Sequence, residues 1–178
     1  MHNGNSGFLI RRLKRRDRED LISNYYALYD EVKHNPSLGI PLLRRRPSIN
    51  EEYKWFTGML SKERKGEAII SVAEAEGKVV GMCDITKYSP RVEQSHVGTV
   101  GILIREGFRS KGIGTALLKD VIKRARPRYS LLSLHVFGNN GHAMHVYQKL
   151  GFRVYGTLHS GIVRSGNKID DVLMCLKL

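Results

Sequence analysis

The chain contains 178 residues, enough for one domain with a buried core and too few for two of ordinary size. Its composition, 41% hydrophobic and 26% charged residues, is that of a globular protein, and no apolar run approaches the roughly 18 residues that cross a bilayer. Thirty Lys and Arg against seventeen Asp and Glu leave a net charge of +13, which favours anionic partners. We predict a single domain over residues 1–178, with a flexible N-terminus at 1–7.

The beginning of the chain and the two cysteines bear on where the protein works. The first residues, MHNGNSGFLIRRLKRR, lack the long apolar segment and the small-residue cleavage site of a signal peptide. Cys83 and Cys175 lie in apolar, strand-like stretches, which is typical of buried thiols rather than of a disulfide framework. We therefore expect a soluble, cytoplasmic protein with no membrane association.

Basic residues are densest at 11–16 and 44–46, where the chain reads RRLKRR and RRR. Neither cluster has the interleaved aromatic residues expected of a surface that stacks bases. A solvated basic face is the favoured interpretation, and a nucleic-acid-associated protein is kept as an alternative.

The first third of the chain predicts a strand and two helices. FLIRRL is an early or edge strand. Asp17 is a suitable N-cap for a helix in DREDLISNYYALYDEV, whose apolar residues share one face. A proline-rich loop follows over 35–48, and a second helix is predicted to begin after Ser48 with acids near its N-terminus.

The rest of the chain alternates strands and helices. EAIISVAEAEGKVVGMCDITKYS predicts two strands joined by a turn at Glu76-Gly77, and HVGTVGILIRE predicts a third. A helix from Ile113 ends before Pro127, SLLSLHVF is a strand, and GHAMHVYQKLG is a short helix closed by Gly151. FRVYGTLHS and DDVLMCLKL are the last two strands, with SGNK as the turn. This order predicts an α/β (α+β) domain around one mixed sheet.

The stretch RSKGIG at 109–114 places two glycines and two cations between a strand and a helix. It is not a Walker loop, because no lysine stands in the required place, nor a dinucleotide fingerprint, because residue 117 is a leucine. In this arrangement Gly112 and Gly114 let the backbone approach a ligand where a Cβ would collide. Amides at a helix N-terminus favour an anion, so the pattern indicates a pyrophosphate site, with a glycine-rich turn as the alternative.

The loop resembles the acetyl-CoA loop of the GNAT superfamily of N-acetyltransferases, and a second motif strengthens the resemblance. NGHAMHVYQKLGF, from Asn140 to Phe152, is similar to the family's Asn-x-x-Ala-x-x-x-Tyr-x-Lys-x-Gly-Phe signature. The ending SGNKIDDVLMCL is similar to the family's last hairpin. The resemblance covers residues 69–178 and is in the style of small bacterial and archaeal members. It implies a mostly antiparallel twisted sheet, flanked by helices, whose fourth and fifth strands splay.

The resemblance implies that acetyl-CoA lies between those strands as the acyl donor and that no metal is needed. Its pantetheine amides would pair with the main chain of Ile102, Leu103 and Ile104, like an added strand. Asn140 would touch the cofactor, although capping its own helix is an equally good role. The pyrophosphate would be received by the loop and the start of the next helix, that is by Arg109, Ser110, Lys111, Gly112, Ile113, Gly114 and Thr115.

The resemblance also implies direct attack of a neutral amine on the thioester in a ternary complex. Tyr147 is the predicted general acid, because a phenol with a pKa of about 10 is protonated at neutral pH and can donate to the departing thiolate. A core tyrosine is the alternative. Where histone-acetylating relatives have a glutamate, this chain has Gly98. His135, and after it His96, are therefore the candidate bases, with an ordered water equally open.

The acceptor is expected at the first two helices, their loop and the C-terminal hairpin. The corresponding side chains are Tyr25, Tyr26, Tyr29, His34 and Trp55, with the 164–171 turn. An acidic pocket for a polyamine would come from Glu31, Glu51, Glu52, Asp170 and Asp171. The prediction is an N-acetyltransferase for a small-molecule or peptide amine, with a catalytically silent acetyl-CoA-binding module as the alternative that Gly98 keeps open. The sequence does not identify the acceptor or the oligomeric state, and a homodimer is one of the open possibilities.

Overall fold

The chain forms a seven-stranded sheet. Numbered along the sequence, its strands lie side by side in the order first, second, third, fourth, fifth, seventh, sixth. The structure, a computed structural model, describes residues 7–178, so the flexible start predicted at 1–7 lies outside the described residues except for Gly7. The strands are β1 Leu9–Arg12, β2 Ala68–Ala75, β3 Lys78–Lys87, β4 Val97–Ile104, β5 Leu131–Phe137, β6 Arg153–Arg164 and β7 Asn167–Lys177. The helices are α1 Arg18–His34, α2 Ile49–Arg64, α3 Ile113–Ala125 and α4 Gly141–Lys149. None of these four helices is long and apolar enough to cross a membrane.

The first two helices begin in different ways. Ser48 precedes α2 as predicted, and it exchanges hydrogen bonds with Glu51, whose carboxylate accepts from the Ser48 amide at 2.8 Å. Asp17 occupies the N-cap position of α1 as predicted, but its side chain makes no capping hydrogen bond to this helix. Its buried carboxylate instead accepts from the Lys14 amide at 2.7 Å and pairs with Arg11, so it fixes the turn before the helix.

Two hairpins turn where the sequence indicates. Glu76 and Gly77 have φ values of 53° and 74°, and Ser165 and Gly166 have φ values of 50° and 80°. Two consecutive residues with positive φ are typical of the tight turns that match the twist of antiparallel strands. The turns therefore set the register of β2 against β3 and of β6 against β7.

Apolar side chains fill both faces of the sheet. On one face, Leu117 of α3 and Tyr147 of α4 share a cluster with strand residues such as Leu134. On the other, Leu21 of α1 and Phe56 of α2 pack on the centre of β2 and β3. The sheet is therefore a layer between two pairs of helices, which is how such a mixed sheet buries both faces.

The fourth and fifth strands diverge after a short parallel ladder. They are paired only from Val97 to Thr99 on β4 and from Leu131 to Ser133 on β5. Beyond this point β4 stays paired with β3 up to its end, whereas β5 stays paired with β7 up to Phe137. The splay and the mixed, mostly antiparallel α/β fold are thus confirmed.

Candidate functional site

The RSKGIG loop ends at the first turn of α3, and Gly112 is the residue on which the chain turns. Gly112 has a φ of 81° and directly precedes the helix. Ala116 donates to the Gly112 carbonyl at 3.0 Å. The amides of Ile113, Gly114 and Thr115 therefore come too early in the helix to find a helical carbonyl. This bare helix start offers an anion both hydrogen bonds and the positive end of the helix dipole.

Gly114 and Lys111 shape the surroundings of this helix start. A Cβ at Gly114 would lie 3.1 Å from Cδ1 of Ile104, so the missing side chain lets α3 approach the end of β4. Lys111 is exposed, and its ammonium lies 5.2 Å from the ring centre of Phe108. The loop thus brings a cation and free amides to the end of β4.

The side chain of Arg109 lies in an ion pair with Glu31 of α1. Its two terminal nitrogens contact the two carboxylate oxygens of Glu31, and its Nε donates to the Ile104 carbonyl at 3.0 Å. The pair is partly buried and ties α1 to the loop. A contact of Arg109 with a pyrophosphate remains a prediction and would compete with this ion pair.

Beyond Thr99, β4 has a partner strand on one side only. Its ladder with β3 continues to Ile104, which lies opposite Gly81. The main-chain groups of residues 100–104 that point away from β3 therefore have no strand to pair with. This free edge contains Ile102, Leu103 and Ile104, the residues predicted to pair with pantetheine, and it runs toward the bare start of α3.

Tyr147 faces the core from α4 and is 7% exposed. Its ring centre lies 5.8 Å from that of Phe152, and Ile102 packs against the same cluster. Burial, with a smaller effect of Cys83, raises the pKa of the Tyr147 hydroxyl well above its ordinary value. The phenol is therefore protonated at neutral pH, as a proton donor must be. The same burial is typical of a core tyrosine, so its role as general acid remains a prediction.

Asn140 caps α4 and also holds the loop between α1 and α2. Its Oδ1 accepts from the Ala143 amide at 3.1 Å, and its Nδ2 donates to the Gly39 carbonyl at 2.8 Å. Next to it, Nδ2 of Asn139 donates to the Ser37 carbonyl at 2.7 Å. The capping role is observed, and contact of Asn140 with the cofactor remains a prediction.

The two predicted histidine bases lie at different places along the sheet. His135, on β5, is half-exposed, and its Nδ1 lies 2.9 Å from Oδ2 of Asp171. His96 is exposed just before β4, at the end where β4 and β5 are paired rather than splayed. A Cβ at Gly98 would lie 2.7 Å from Cγ2 of Ile85, so this position faces packed core and has no room for the glutamate of other relatives.

A cavity of about 610 Å³ opens on the α1–α2 side of the sheet, beside the free edge of β4. Its apolar and aromatic lining includes Leu21, Tyr25, Leu43, Trp55, Met82, Ile102 and Leu103. Its charged lining consists of Arg44, Arg45, Glu51, Glu52 and Asp84. Because Ile102 and Leu103 belong to both the cavity and the free edge, a molecule in the cavity can meet one that lies along β4.

Two of the charged groups that line the cavity neutralise each other. The guanidinium of Arg45 contacts both carboxylate oxygens of Glu51, at 2.9 and 2.6 Å. This contact, with hydrogen bonds from Ser48, lowers the pKa of Glu51 to about 2. The remaining carboxylates, Asp84 and Glu52, have no hydrogen bond or ion pair with another residue of the described part of the chain.

Asp84 is a functional candidate that the sequence interpretation missed. It lies in the middle of β3, directly opposite Gly101, and a Cβ at Gly101 would lie 3.0 Å from its Oδ1. Burial raises the pKa of the Asp84 carboxyl to about 7, against a weaker opposing effect of Lys62. The signal in the sequence is a single acid inside the apolar strand VVGMCDIT, where an unpaired charge needs a reason.

Glu52 is the second carboxylate of the cavity and is only 4% exposed. It lies in the first turn of α2, where the helix dipole favours an acid. Burial, and to a smaller extent the charge of Glu51, raises the pKa of the Glu52 carboxyl. The sequence interpretation named Glu52 for an acidic pocket, and the structure places it in one.

The predicted aromatic residues divide between the cavity and the loop above it. Tyr25 and Trp55 line the cavity. Tyr26 donates to the Pro47 carbonyl, and Tyr29 donates to the carbonyls of Leu43 and Arg45. These two tyrosines therefore hold the loop that walls the cavity. Nδ1 of His34 forms a hydrogen bond with the Asp30 carbonyl of its own helix.

The C-terminal hairpin contacts the same loop but supplies no carboxylate to the cavity. Arg164 donates to the carbonyls of Leu38 and Ile40. Asp170 lies beside His159, and Asp171 beside His135. Within residues 7–178, no group of three or more His, Cys, Asp or Glu side chains is arranged to hold a metal ion.

Comparison with known proteins identifies the family. The model of the acetyltransferase (GNAT) family matches residues 25–152. The L-amino acid N-acetyltransferase AaaT of Escherichia coli is 32% identical over 105 residues, which cover 58% of this chain and 64% of that protein. The match thus spans less than two thirds of the length of this relative.

Two solved structures have the same fold. The ribosomal-protein-alanine N-acetyltransferase of Brucella melitensis superposes with a TM-score of 0.80 at 24% identity, over 96% of this chain and 99% of that one. The phosphinothricin acetyltransferase of Sinorhizobium meliloti, solved in complex with acetyl-CoA, superposes with a TM-score of 0.79 at 20% identity, over 97% and 89% of the two chains.

Proposed function

Because the chain belongs to the acetyltransferase (GNAT) family, we propose that it is an N-acetyltransferase that moves the acetyl group of acetyl-CoA to the nitrogen of a primary amine. One observation carries the proposal: the free edge of β4 runs directly to the bare N-terminus of α3. Coenzyme A carries amides in its pantetheine arm and, further along, a diphosphate. The order of binding groups on the protein matches the order of groups on this molecule.

The residues present fit acetyl-CoA in their chemistry. The edge at Ile102, Leu103 and Ile104 offers main-chain groups to the pantetheine amides. The amides at the start of α3 and the ammonium of Lys111 offer donors and charge to the diphosphate. Gly112 permits the turn into α3, because its positive φ is a backbone conformation that side chains disfavour, although nothing lies within 4 Å of an added Cβ.

In the proposed reaction the amine attacks the thioester directly in a ternary complex. The amine approaches from the cavity, which shares Ile102 and Leu103 with the edge of β4. The buried hydroxyl of Tyr147 donates a proton to the departing sulfur. A primary amine as acceptor is consistent with the named activity of the E. coli relative, an N-acetyltransferase for L-amino acids.

The alternative of a catalytically silent binding module is less well supported. It arose because Gly98 cannot act as a base, but Gly98 faces the core, and the cavity has the carboxylate of Asp84 instead. The nucleic-acid alternative is also weakened, because Arg11 and Arg45 of the two basic clusters are engaged in ion pairs. Neither arginine is free to contact phosphate without breaking a contact.

The experiment that tests the proposal combines calorimetry of coenzyme A binding with an assay of thioester consumption in the presence of primary amines. Lys111→Gln removes a cation beside the start of α3, and Lys119→Gln removes an exposed cation further along the same helix as a matched control. We expect Lys111→Gln to weaken binding about 3- to 10-fold and Lys119→Gln to leave it unchanged. Absence of binding by the unaltered chain would refute the proposal.

A further inference from the structure

The cavity beside β4 is acidic at its interior, although the chain as a whole has a net charge of +13. Glu52 is almost fully buried and Asp84 is partly buried, and both lack a partner within residues 7–178. A buried carboxylate without a partner is unfavourable, and most proteins pair it or avoid it. Two such groups lining one cavity indicate that a positively charged ligand group completes them.

Asp84 lies where the chemistry would take place. Its register partner Gly101 is two residues beyond Thr99, the last residue of β4 that pairs with β5. The absence of a side chain at Gly101 leaves space for the Asp84 carboxylate, since a Cβ there would lie 3.0 Å from its Oδ1. The carboxylate is thus held beside the point where the free edge begins.

We propose that Asp84 accepts the proton of the attacking amine, that Glu52 binds the amine in its ammonium form, and that the acceptor is a compact primary amine with an apolar body. This inference rests on the proposed function and identifies the base and the class of acceptor. Glu52 is a positioning residue, and Asp84 is the group that exchanges a proton with the substrate.

The proposed step balances as follows. The ammonium gives one proton to the Asp84 carboxylate and becomes a neutral amine. The nitrogen lone pair forms a bond to the thioester carbonyl carbon, and the carbon–sulfur bond breaks. Tyr147 gives its proton to the leaving sulfur, and the proton released when nitrogen becomes an amide restores Tyr147. Asp84 releases its proton to solvent, so one ammonium ion and one thioester yield an amide, a thiol and one proton.

Several charged or titratable groups lie around Asp84. They are Tyr25 of α1, Arg44 and Arg45 of the loop, Glu51, Glu52 and Lys62 of α2, and Cys83 beside it on β3. Arg45 is already paired with Glu51, and Lys62 acts against the dominant effect of burial. Burial raises the pKa of this carboxyl to about 7, near the pH at which a general base works best.

The shape and lining of the cavity define the acceptor class. The walls include Leu21, Leu43, Trp55, Met82 and Leu103, which favour an aliphatic or aromatic body. A volume of about 610 Å³ suits a small molecule rather than a folded protein surface. An acceptor that fits the cavity therefore has a primary amine that reaches the carboxylates and a body that contacts these apolar walls.

The test measures kcat/KM against pH for 2-phenylethylamine, cadaverine and phenylalanine, and for a lysine-containing dodecapeptide. We expect at least one of the compact amines to exceed the peptide by about 10-fold or more. For the best amine, kcat/KM should rise with pH through about 7, because Asp84 must be ionised to accept a proton. Preference for the peptide would overturn the acceptor class.

Three variants and one control assign the roles. Asp84→Asn should lower kcat/KM about 100-fold and remove the rise near pH 7, and Asp84→Glu should restore part of both. Glu52→Gln should raise the KM of the amine about 10-fold with little change in kcat. Glu93→Gln, which removes an exposed carboxylate elsewhere, should change neither quantity. Retention of wild-type kcat/KM and of its pH dependence by Asp84→Asn would overturn the role of Asp84.

A binding measurement separates this inference from the function on which it rests. Calorimetry with free coenzyme A, followed by titration of 2-phenylethylamine into the complex, requires no turnover. We expect coenzyme A to bind wild type and Asp84→Asn equally, and the amine to bind Glu52→Gln about 10-fold more weakly than wild type. If coenzyme A fails to bind wild type, the proposed function falls and the inference with it. If coenzyme A binds and an amine is acetylated, but Asp84→Asn and Glu52→Gln behave as wild type, only the inference falls.

Discussion

Asn140 and Gly39 are 101 residues apart in the chain, and the side-chain amide of Asn140 donates to the Gly39 carbonyl at 2.8 Å. The same side chain caps α4 through its oxygen. A Cβ at Gly39 would lie 2.8 Å from Cβ of Asn140, so the loop can approach this closely only because residue 39 is a glycine. One side chain thus couples the helix that carries Tyr147 to the loop that walls the cavity.

The two functions of Asn140 can be separated by substitution. Asn140→Ser keeps a capping oxygen but loses the donor to Gly39, whereas Asn140→Ala loses both. We expect the free energy of unfolding to fall by about 1–2 kcal/mol in the alanine variant and by about half as much in the serine variant. Both should raise the KM of the amine, because the loop is loosened in each. An effect confined to coenzyme A binding would instead support the cofactor contact predicted from the family resemblance.

The two glycines of the loop should respond differently to alanine. Gly112→Ala places a side chain at a φ of 81°, which costs about 1 kcal/mol or more of stability although nothing lies within 4 Å of the new Cβ. Gly114→Ala adds a methyl 3.1 Å from Ile104, while alanine favours the helix by about 1 kcal/mol. We therefore expect Gly114→Ala to retain its stability and yet to bind coenzyme A more weakly.

Thermal melting and calorimetry of the same two proteins check this difference. The binding loss for each variant is expected at one to a few kcal/mol, since both alter the backbone where the diphosphate is expected. Unchanged affinity in both variants would contradict the placement of the diphosphate at this loop. Equal loss of stability in both would contradict the separate reasons given for the two glycines.

The sequence predicted local features better than the composition of the cavity. The cap at Ser48, the turn at Glu76-Gly77 and the splay after Thr99 follow from residue types or from the family resemblance, and the structure confirms them. Asp17 occupies the predicted N-cap position, but its carboxylate does not cap the helix, because Arg11 is a stronger partner. The turn between β1 and α1 brings Asp17 back to Arg11, six residues earlier in the chain.

Asp84 could not be found from spacing for a related reason. Its significance depends on Gly101 across the ladder, on Glu52 from a distant helix and on the absence of a nearby partner. Each of these is a tertiary relationship. Arg109 shows the converse case, because its place in the motif predicted a ligand contact whereas its guanidinium pairs with Glu31, 78 residues earlier in the chain.

Tyr147→Phe tests the proposed proton donor. The substitution keeps the ring that packs against Phe152 and removes only the hydroxyl. We expect kcat to fall about 10- to 100-fold, because the thiolate then leaves without a proton donor, while the free energy of unfolding changes by less than about 1 kcal/mol. Steady-state kinetics and melting curves measure the two quantities. Tyr155→Phe, at an exposed tyrosine on β6, serves as the control.

A core role for Tyr147 would give the opposite pattern. Loss of a buried hydroxyl that only stabilises the fold would lower the melting temperature and leave kcat unchanged for the remaining folded enzyme. Because the pKa of this hydroxyl is raised, its protonated form persists across the pH range of the assay, and the effect on kcat should be the same at pH 6 and pH 8. A dependence on pH in this interval would point to another group.

The proposed base should also be visible in the stability of the protein without any ligand. The pKa of the Asp84 carboxyl is about 7 in the folded state and about 4 in an unfolded chain, so the folded state holds the proton more tightly. Stability contributed by the protonated group is therefore complete below pH 4 and is lost as pH rises through 7. Asp84→Asn cannot ionise and escapes this loss.

We expect the stability of Asp84→Asn relative to wild type to increase by on the order of 2 kcal/mol between pH 5 and pH 8. Denaturant titrations at the two pH values measure the difference. Asp30→Asn, at an exposed carboxylate on α1, should give parallel curves instead. Parallel curves for Asp84→Asn would show that its carboxylate is already stabilised by a partner in the folded chain. A stability gain combined with a loss of kcat/KM would mean that the unpaired carboxylate is kept for the acceptor despite its cost to the fold.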